Sequence, residues 1–191
     1  MKKILSILVV SVILFSCSTE VKRYSFEDTI SKNQLVYLEN NMSLVNGIVY
    51  LKNLNNTLNK EITYIDGKKE GLESSWYDNG QIKEEGNYIN GKKDGIHKVW
   101  YESGQLDSER KYKGGNVDGL FIGWYKNGQL MFEGNCIDGN LDGLCKGWYE
   151  NGQLEYESNY KNNKEDGLQK SWFENGQLIS ESNYTNGVKT D

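Results

Sequence analysis

Glutamate is the residue type in this chain whose spacing comes closest to a set of catalytic groups. Acid–base catalysis by a carboxylate pair needs two carboxyls roughly 5–9.5 Å apart in different environments. Glutamates recur here at a fixed interval of 24 residues, and copies of one repeated position share one environment, so nothing would separate an acid from a base. We therefore expect a structural ladder and no enzymatic activity. The five positions are Glu85, Glu109, Glu133, Glu157 and Glu181.

The single histidine and the aspartate–glycine turns are weaker candidates for chemistry. His97 has no repeated partner, because its counterparts in the other copies are Glu73, Phe121, Cys145 and Gln169. We expect it on the surface, without a catalytic role. The turn at 138–143 faintly resembles a calcium-binding loop, but calcium needs six or more oxygen ligands, and copies of this turn contain lysine. The sequence predicts no metal and no cofactor.

Cys136 and Cys145 are candidates for a disulfide. If the turn between them closes symmetrically, residue 137 pairs with 144 and residue 138 with 143, and the two cysteines face each other on adjacent strands. An exported protein can keep such a bond. Two outcomes stay open from the sequence: a disulfide, or two buried free thiols.

The N-terminal segment has the pattern of an export signal. Two lysines precede an apolar run of twelve residues, 4–15, which is shorter than the ~20 residues of a transmembrane helix and suits a signal peptide. The run ends in Leu14-Phe15-Ser16-Cys17, which resembles the lipobox of bacterial lipoproteins. The resemblance implies cleavage after residue 16, lipidation of Cys17 and a lipid anchor in the cell envelope. Ser18 in place of aspartate implies the outer membrane if the cell is Gram-negative.

The charge of the chain excludes one class of partner. It has 22 basic and 27 acidic residues, a net charge of −5, and loss of the two signal lysines leaves 20 against 27, or −7. An acidic chain without a basic patch lacks the electrostatic footprint of a nucleic-acid-binding protein. We expect no nucleic-acid partner, and contact with the membrane only through the lipid.

The dominant feature of the sequence is a repeat of 24 residues. Internal periodicity of this length indicates a stack of identical structural units. The period holds for the tryptophans Trp76, Trp100, Trp124, Trp148 and Trp172, and for the glycines Gly80, Gly104, Gly128, Gly152 and Gly176.

Each unit has the pattern of a β-hairpin. In the first copy an apolar-rich run ends at Tyr77, Asp78-Asn79-Gly80 follows, and a second run begins at Gln81. Asn-Gly between such runs is a strong hairpin signal. A two-residue loop would pair Tyr77 with Ile82, whereas a three-residue loop with a bulge at Gly80 would put Trp76 opposite Ile82. Both registers predict an all-β protein, an elongated, curved single-sheet β-meander of stacked hairpins.

The repeat also predicts how the chain is divided. Residues 1–16 are the signal peptide and residues 17–43 a lipidated cysteine with a polar tether. Residues 44–67 form a degenerate capping repeat, in which Lys52 replaces the tryptophan and Asn56 the turn glycine. Residues 68–191 form five full repeats.

The unit from Asp94-Gly95 through Trp100-Tyr101 and Gly104-Gln105-Leu106 to Glu109 and Tyr112 resembles the bacterial variant of the MORN repeat. The match covers residues 70–187. Chains of this kind resemble the YwqK-type antitoxins of toxin–antitoxin systems, which implies a neutralising role. Fold-level likeness alone does not determine function.

Binding specificity should lie in positions that differ between copies, because the repeated positions are occupied with folding. The middle repeats carry additional apolar side chains, and their exposure would make a partner site. We therefore expect a non-catalytic envelope lipoprotein that binds a protein, plausibly a toxin or effector, with a module that binds cell-wall glycan as the alternative. The candidate residues are Phe121, Ile122, Met131, Phe132 and Tyr156.

Overall fold

The computed structural model describes residues 20–191. A short 3-10 helix, Phe26–Asp28, lies between the first two strands. The strands are β1 Arg23–Ser25, β2 Thr29–Lys32, β3 Leu35–Leu38, β4 Gly47–Lys52, β5 Leu58–Ile65, β6 Lys68–Trp76, β7 Ile82–Ile89, β8 Lys92–Trp100, β9 Leu106–Lys113, β10 Asn116–Trp124, β11 Leu130–Ile137, β12 Asn140–Leu141, β13 Gly143–Trp148, β14 Leu154–Lys161, β15 Lys164–Trp172, β16 Leu178–Thr185 and β17 Val188–Lys189.

Nearly all of these strands belong to one long sheet. From β4 onward its order follows the sequence, each strand antiparallel to the next, and the short β12 pairs only with β11. At the other end β1 pairs with β4 in parallel, while β2 and β3 form a separate two-stranded sheet. The predicted all-β single sheet of stacked hairpins is confirmed.

The hairpin turns adopt the three-residue alternative. The Gly80 amide donates to the Tyr77 carbonyl oxygen at 2.9 Å, and the Tyr77 amide donates to the Gln81 carbonyl oxygen at 2.8 Å. Gly80 has φ +85°, a conformation that favours glycine. Trp76 consequently lies opposite Ile82.

A second irregularity follows each turn. Trp76 pairs with Ile82 but Ser75 pairs with Glu84, so Lys83 is an extra residue, a one-residue β-bulge. The same shift occurs at the equivalent point of each hairpin, including the degenerate one. The other extra residues are Asn59, Asp107, Met131, Glu155 and Ile179.

Neighbouring hairpins are joined by a repeated side-chain hydrogen bond. The Tyr77 hydroxyl donates to the Trp100 carbonyl oxygen at 2.7 Å. Tyr101, Tyr125 and Tyr149 make the same bond to the next tryptophan in sequence, at 2.7–2.8 Å. Phe173 stands at this position in the fifth repeat and is 53% exposed. The hydroxyl is thus present where a following hairpin supplies an acceptor.

The first described residues form a folded cap, which corrects the predicted tether at 17–43. Within that range, β1, β2 and β3 pack over the first hairpin, so residues 23–38 are not a polar linker. Val45, Val49 and Tyr64 are buried there with Val36 and Leu38 against them. The prediction of a tether overlooked that these few apolar side chains cover the first hairpin, β4–β5.

The predicted signal peptide at 1–16 and the lipidation site Cys17 lie outside the described residues. Within residues 20–191, no helix has the length and apolar character needed to cross a membrane.

Candidate binding surface

The sheet has two faces of different character. Successive residues of a strand point to opposite faces, so each face is defined by every second position. We call the face that carries the tryptophans the repeated face. We call the opposite face, which carries His97 and Phe121, the variable face, because its residues differ from copy to copy.

The repeated face carries the glutamate ladder. Lys98 lies opposite Glu109 with Nζ 3.2 Å from a carboxylate oxygen, and the next such pairs are Lys146–Glu157 at 3.0 Å and Lys170–Glu181 at 3.1 Å. These pairs are partly exposed, and such pairs contribute about 0–1 kcal/mol each. No ordinary catalytic asymmetry distinguishes one copy from another.

The variable face is filled by matching large side chains with glycine. Phe132 lies opposite Gly123, and a Cβ built on Gly123 would come within 2.4 Å of the Phe132 ring. Tyr156 lies over Gly147 in the same way, at 2.1 Å. In other hairpins the equivalent pairs hold small or polar residues: Ser75–Glu84, Val99–Ser108 and Ser171–Ser180. Ring and glycine therefore vary together.

Three of the five predicted partner-binding residues meet in a groove on this face. Phe121, Phe132 and Tyr156 line a concavity of about 500 Å³ together with Leu141 and Cys145. A second concavity of about 370 Å³ shares the two phenylalanines and Leu141, and adds Arg110, Val117 and Cys136. The rings of Phe121 and Phe132 are 5.9 Å apart. We call the two concavities together the aromatic groove.

Ile122 and Met131 do not belong to the aromatic groove. Each follows or precedes a groove phenylalanine in its strand, and neither lines either concavity. Ile122 points to the repeated face by strand alternation, and Met131 is the extra residue of a bulge. Grouping all five residues was wrong because apolar neighbours along a strand do not share a face.

His97 is buried, which corrects its prediction as a surface residue. It is 4% exposed, lies between the Tyr88 and Tyr112 rings, and covers Gly86. Its Nε2 is 2.7 Å from the Asn87 carbonyl oxygen. Burial, with Lys93 nearby, lowers the pKa of His97 despite that hydrogen bond.

The equivalent buried residue in the fifth repeat makes the same bond. Gln169 is 9% exposed, and its Nε2 donates to the Asn159 carbonyl oxygen at 2.8 Å. Asn87 and Asn159 both lie where the strand pairing shifts register. His97 and Gln169 thus supply hydrogen bonds to carbonyl oxygens at irregular points in the ladder, a role that the sequence alone did not reveal.

Glu73 occupies this position in the first repeat. It is 7% exposed and lies 2.5 Å from the Nζ atoms of both Lys60 and Lys69. Burial acts to raise the pKa of Glu73, but the hydrogen bonds and charges of the two lysines lower it overall. A buried carboxylate with two lysine partners is a structural ion cluster.

Cys136 and Cys145 are free thiols, and the register predicted for them is not the one observed. Cys136 lies opposite Leu141, and Glu133 lies opposite Lys146, which places Cys145 beside Gly134 rather than opposite Cys136. The chain between β12 and β13 interrupts the symmetric closure on which the disulfide depended. Burial raises the pKa of both thiols.

Metal binding has no support in the described residues. Between residues 20 and 191, no group of three or more histidine, cysteine, aspartate or glutamate side chains is arranged to hold a metal ion. The aspartates of the second turns have another role, because the Asp94 carboxylate accepts a hydrogen bond from the Gly114 amide at 3.1 Å.

A long sheet of identical hairpins, with one repeated and one variable face, defines a repeat protein with the character of a binding scaffold. The MORN repeat variant family matches this chain five times, at residues 69–90, 93–113, 117–135, 141–162 and 165–186. These segments cover more than half of the chain, which therefore belongs to the MORN repeat variant family. No curated protein is matched.

Proposed function

We propose that this protein is a non-catalytic, lipid-anchored protein of the cell envelope whose aromatic groove binds a protein partner, as an antitoxin or immunity protein binds its target. The observation that carries the proposal is the groove itself. Phe121, Phe132 and Tyr156 supply rings at a position where other repeats have small or polar side chains.

The groove has the composition of a protein-binding site. Aromatic side chains near the centre of an interface commonly dominate its binding energy. All three rings are half-buried, so the sheet holds them in place while part of each remains accessible. Preorganised side chains lose little conformational entropy on binding.

The fold does not need these rings. Ser108 and Ser180 stand at the position of Phe132 and Tyr156 in other repeats. The same hairpin therefore folds with serine there, which separates the residues required for binding from those required for folding.

The proposed anchor rests on the sequence pattern of residues 1–17. Lipid on Cys17 would hold the sheet at a membrane surface. The test of this part is mass spectrometry of the N-terminal peptide, with Cys17→Ser as the control. A protein that starts at residue 17 and carries acyl chains is expected, and an unprocessed or unlipidated N-terminus would contradict it.

The test of binding is affinity capture of the tagged, full-length protein from its own cells. We expect one stoichiometric protein partner, lost when Phe132→Ser and Tyr156→Ser are combined. Phe173→Ser is the matched control, because it removes an exposed aromatic side chain outside the groove. Circular dichroism should show that both variants retain the sheet.

The alternative function is binding of cell-wall glycan. Tyrosines recur on the variable face at the repeat interval, which suits a polymer of regular spacing. Tyr88 and Tyr112 contact the His97 ring, and Tyr160 lines the aromatic groove. Sedimentation with insoluble wall material distinguishes the two. Retention on the wall with no protein captured would replace the first proposal by this one.

A further inference from the structure

We propose that an aliphatic stripe on the repeated face is the interface through which two copies of this chain associate. The stripe consists of large aliphatic side chains that lie at or near the ends of strands next to the second turn of each hairpin. Seven of them are 42–52% exposed: Ile65, Leu72, Ile89, Ile96, Leu120, Ile137 and Leu144.

The strand register places these side chains on one face. Leu72 lies opposite Asn87, and Ile89 follows two residues later on the same face of β7. Both alternate with Gly86 and Tyr88, which belong to the variable face. The stripe is therefore separated from the aromatic groove by the thickness of the sheet, and the proposal is independent of the function proposed for the groove.

The exposed area suits a second copy. Seven half-exposed aliphatic side chains present on the order of 600 Å² in one chain, about the largest apolar patch of a typical monomer. Two such stripes together would bury on the order of 1,200 Å², which reaches the range of specific protein interfaces.

The spacing of the stripe also favours a second copy. Strands lie about 4.8 Å apart, so equivalent residues of successive hairpins recur about every 9.6 Å. Another copy presents aliphatic side chains at the same interval, which lets two stripes interdigitate over several hairpins. A two-fold axis would use the same patch on both chains, as in most homodimers.

Two repeats show how the stripe can be interrupted without loss of the fold. Lys113 and Lys161 stand where Ile89 and Ile137 stand in other hairpins, and both are exposed. The combined substitution Ile89→Lys and Ile137→Lys therefore copies residues that this sheet already accepts.

The experiment is sedimentation equilibrium of the full-length protein in density-matched detergent. We expect a monomer–dimer equilibrium for the natural protein and a loss of dimer affinity on the order of 100-fold for the Ile89→Lys, Ile137→Lys variant, because burying like charges opposes association. Phe132→Ser, on the other face, should dimerise like the natural protein. A natural protein that stays monomeric, a lysine variant that still dimerises equally well, or a Phe132→Ser variant that becomes monomeric would each overturn the proposal.

Cross-linking in intact membranes tests the same interface without detergent. Leu120→Cys places a thiol in the stripe, and Ser180→Cys places an exposed one on the variable face. A short bismaleimide should join two chains carrying Leu120→Cys and leave those carrying Ser180→Cys as monomers. Equal cross-linking at both positions, or cross-linking only at Ser180→Cys, would contradict a dimer through the stripe.

Discussion

Replacing Gly123 by valine tests whether side-chain size is matched across the variable face. Gly123 lies opposite Phe132 in extended backbone, and the equivalent pair in the preceding hairpin is Val99–Ser108. The double variant Gly123→Val, Phe132→Ser therefore transplants a pair that the sheet already contains.

The magnitude follows from the distance between the two residues. A Cβ on Gly123 would come within 2.4 Å of Phe132 Cζ, whereas carbon atoms in favourable contact are about 3.5–4.0 Å apart. Gly123→Val alone must displace the ring, and overpacking of this kind costs about 1–3 kcal/mol. Phe132→Ser alone removes a half-buried ring and should cost about 1–2 kcal/mol, below the value for a fully buried phenylalanine.

The two substitutions should compensate each other when combined. With serine at 132 the obstruction is gone, and valine in place of glycine restricts the unfolded chain, a gain of about 0.5–1 kcal/mol. We expect the double variant to be more stable than the sum of the single variants by about 2 kcal/mol or more, a double-mutant coupling energy.

The assay is urea unfolding followed by tryptophan fluorescence and circular dichroism for the natural protein and all three variants. Gly147→Val with Tyr156→Ser is a second cycle of the same design, because a Cβ on Gly147 would lie 2.1 Å from the Tyr156 ring. Additive effects within 0.5 kcal/mol in both cycles would refute the reasoning, since they would mean that the ring and the glycine are energetically independent.

Further predictions concern stability, pH and thiol reactivity. Tyr125→Phe removes the hydrogen bond to the Trp148 carbonyl oxygen and should lower the free energy of unfolding by about 1 kcal/mol; an unchanged urea midpoint would show that the bond between hairpins contributes nothing. Because burial lowers the pKa of His97 in the folded state, the unfolded chain binds the proton first, and the free energy of unfolding should decrease as the pH falls below about 6.5. His97→Gln should weaken this dependence between pH 7.5 and 5.5 in urea unfolding, and an identical slope in both proteins would contradict the assignment. Cys136 and Cys145 are buried with raised pKa values, so iodoacetamide at pH 7.5 should alkylate them at least about tenfold more slowly in the native than in the urea-unfolded protein, as measured by mass spectrometry; equal rates would contradict their burial.

The sequence by itself determined the repeat, the hairpin and the all-β fold, because these depend on local chemistry. A 24-residue identity, a turn of asparagine and glycine, and alternating side chains act over a few residues, and stacking repeats them. The two registers of the turn could not be separated from sequence, since both satisfy the same pattern. In the folded sheet the three-residue turn allows Gly80 its positive φ and places Trp76 opposite Ile82.

The tertiary structure alone decided which side chains share a face. The one-residue bulges and the interruption between β12 and β13 shift the pairing by amounts that no single hairpin announces, so Cys136 lies opposite Leu141 and Ile122 is separated from Phe121. The burial of His97 depends on tyrosines of two other strands and on a glycine that leaves room for its ring. Contacts of this kind form between residues that are distant in sequence, and their geometry is fixed only when the strands pair.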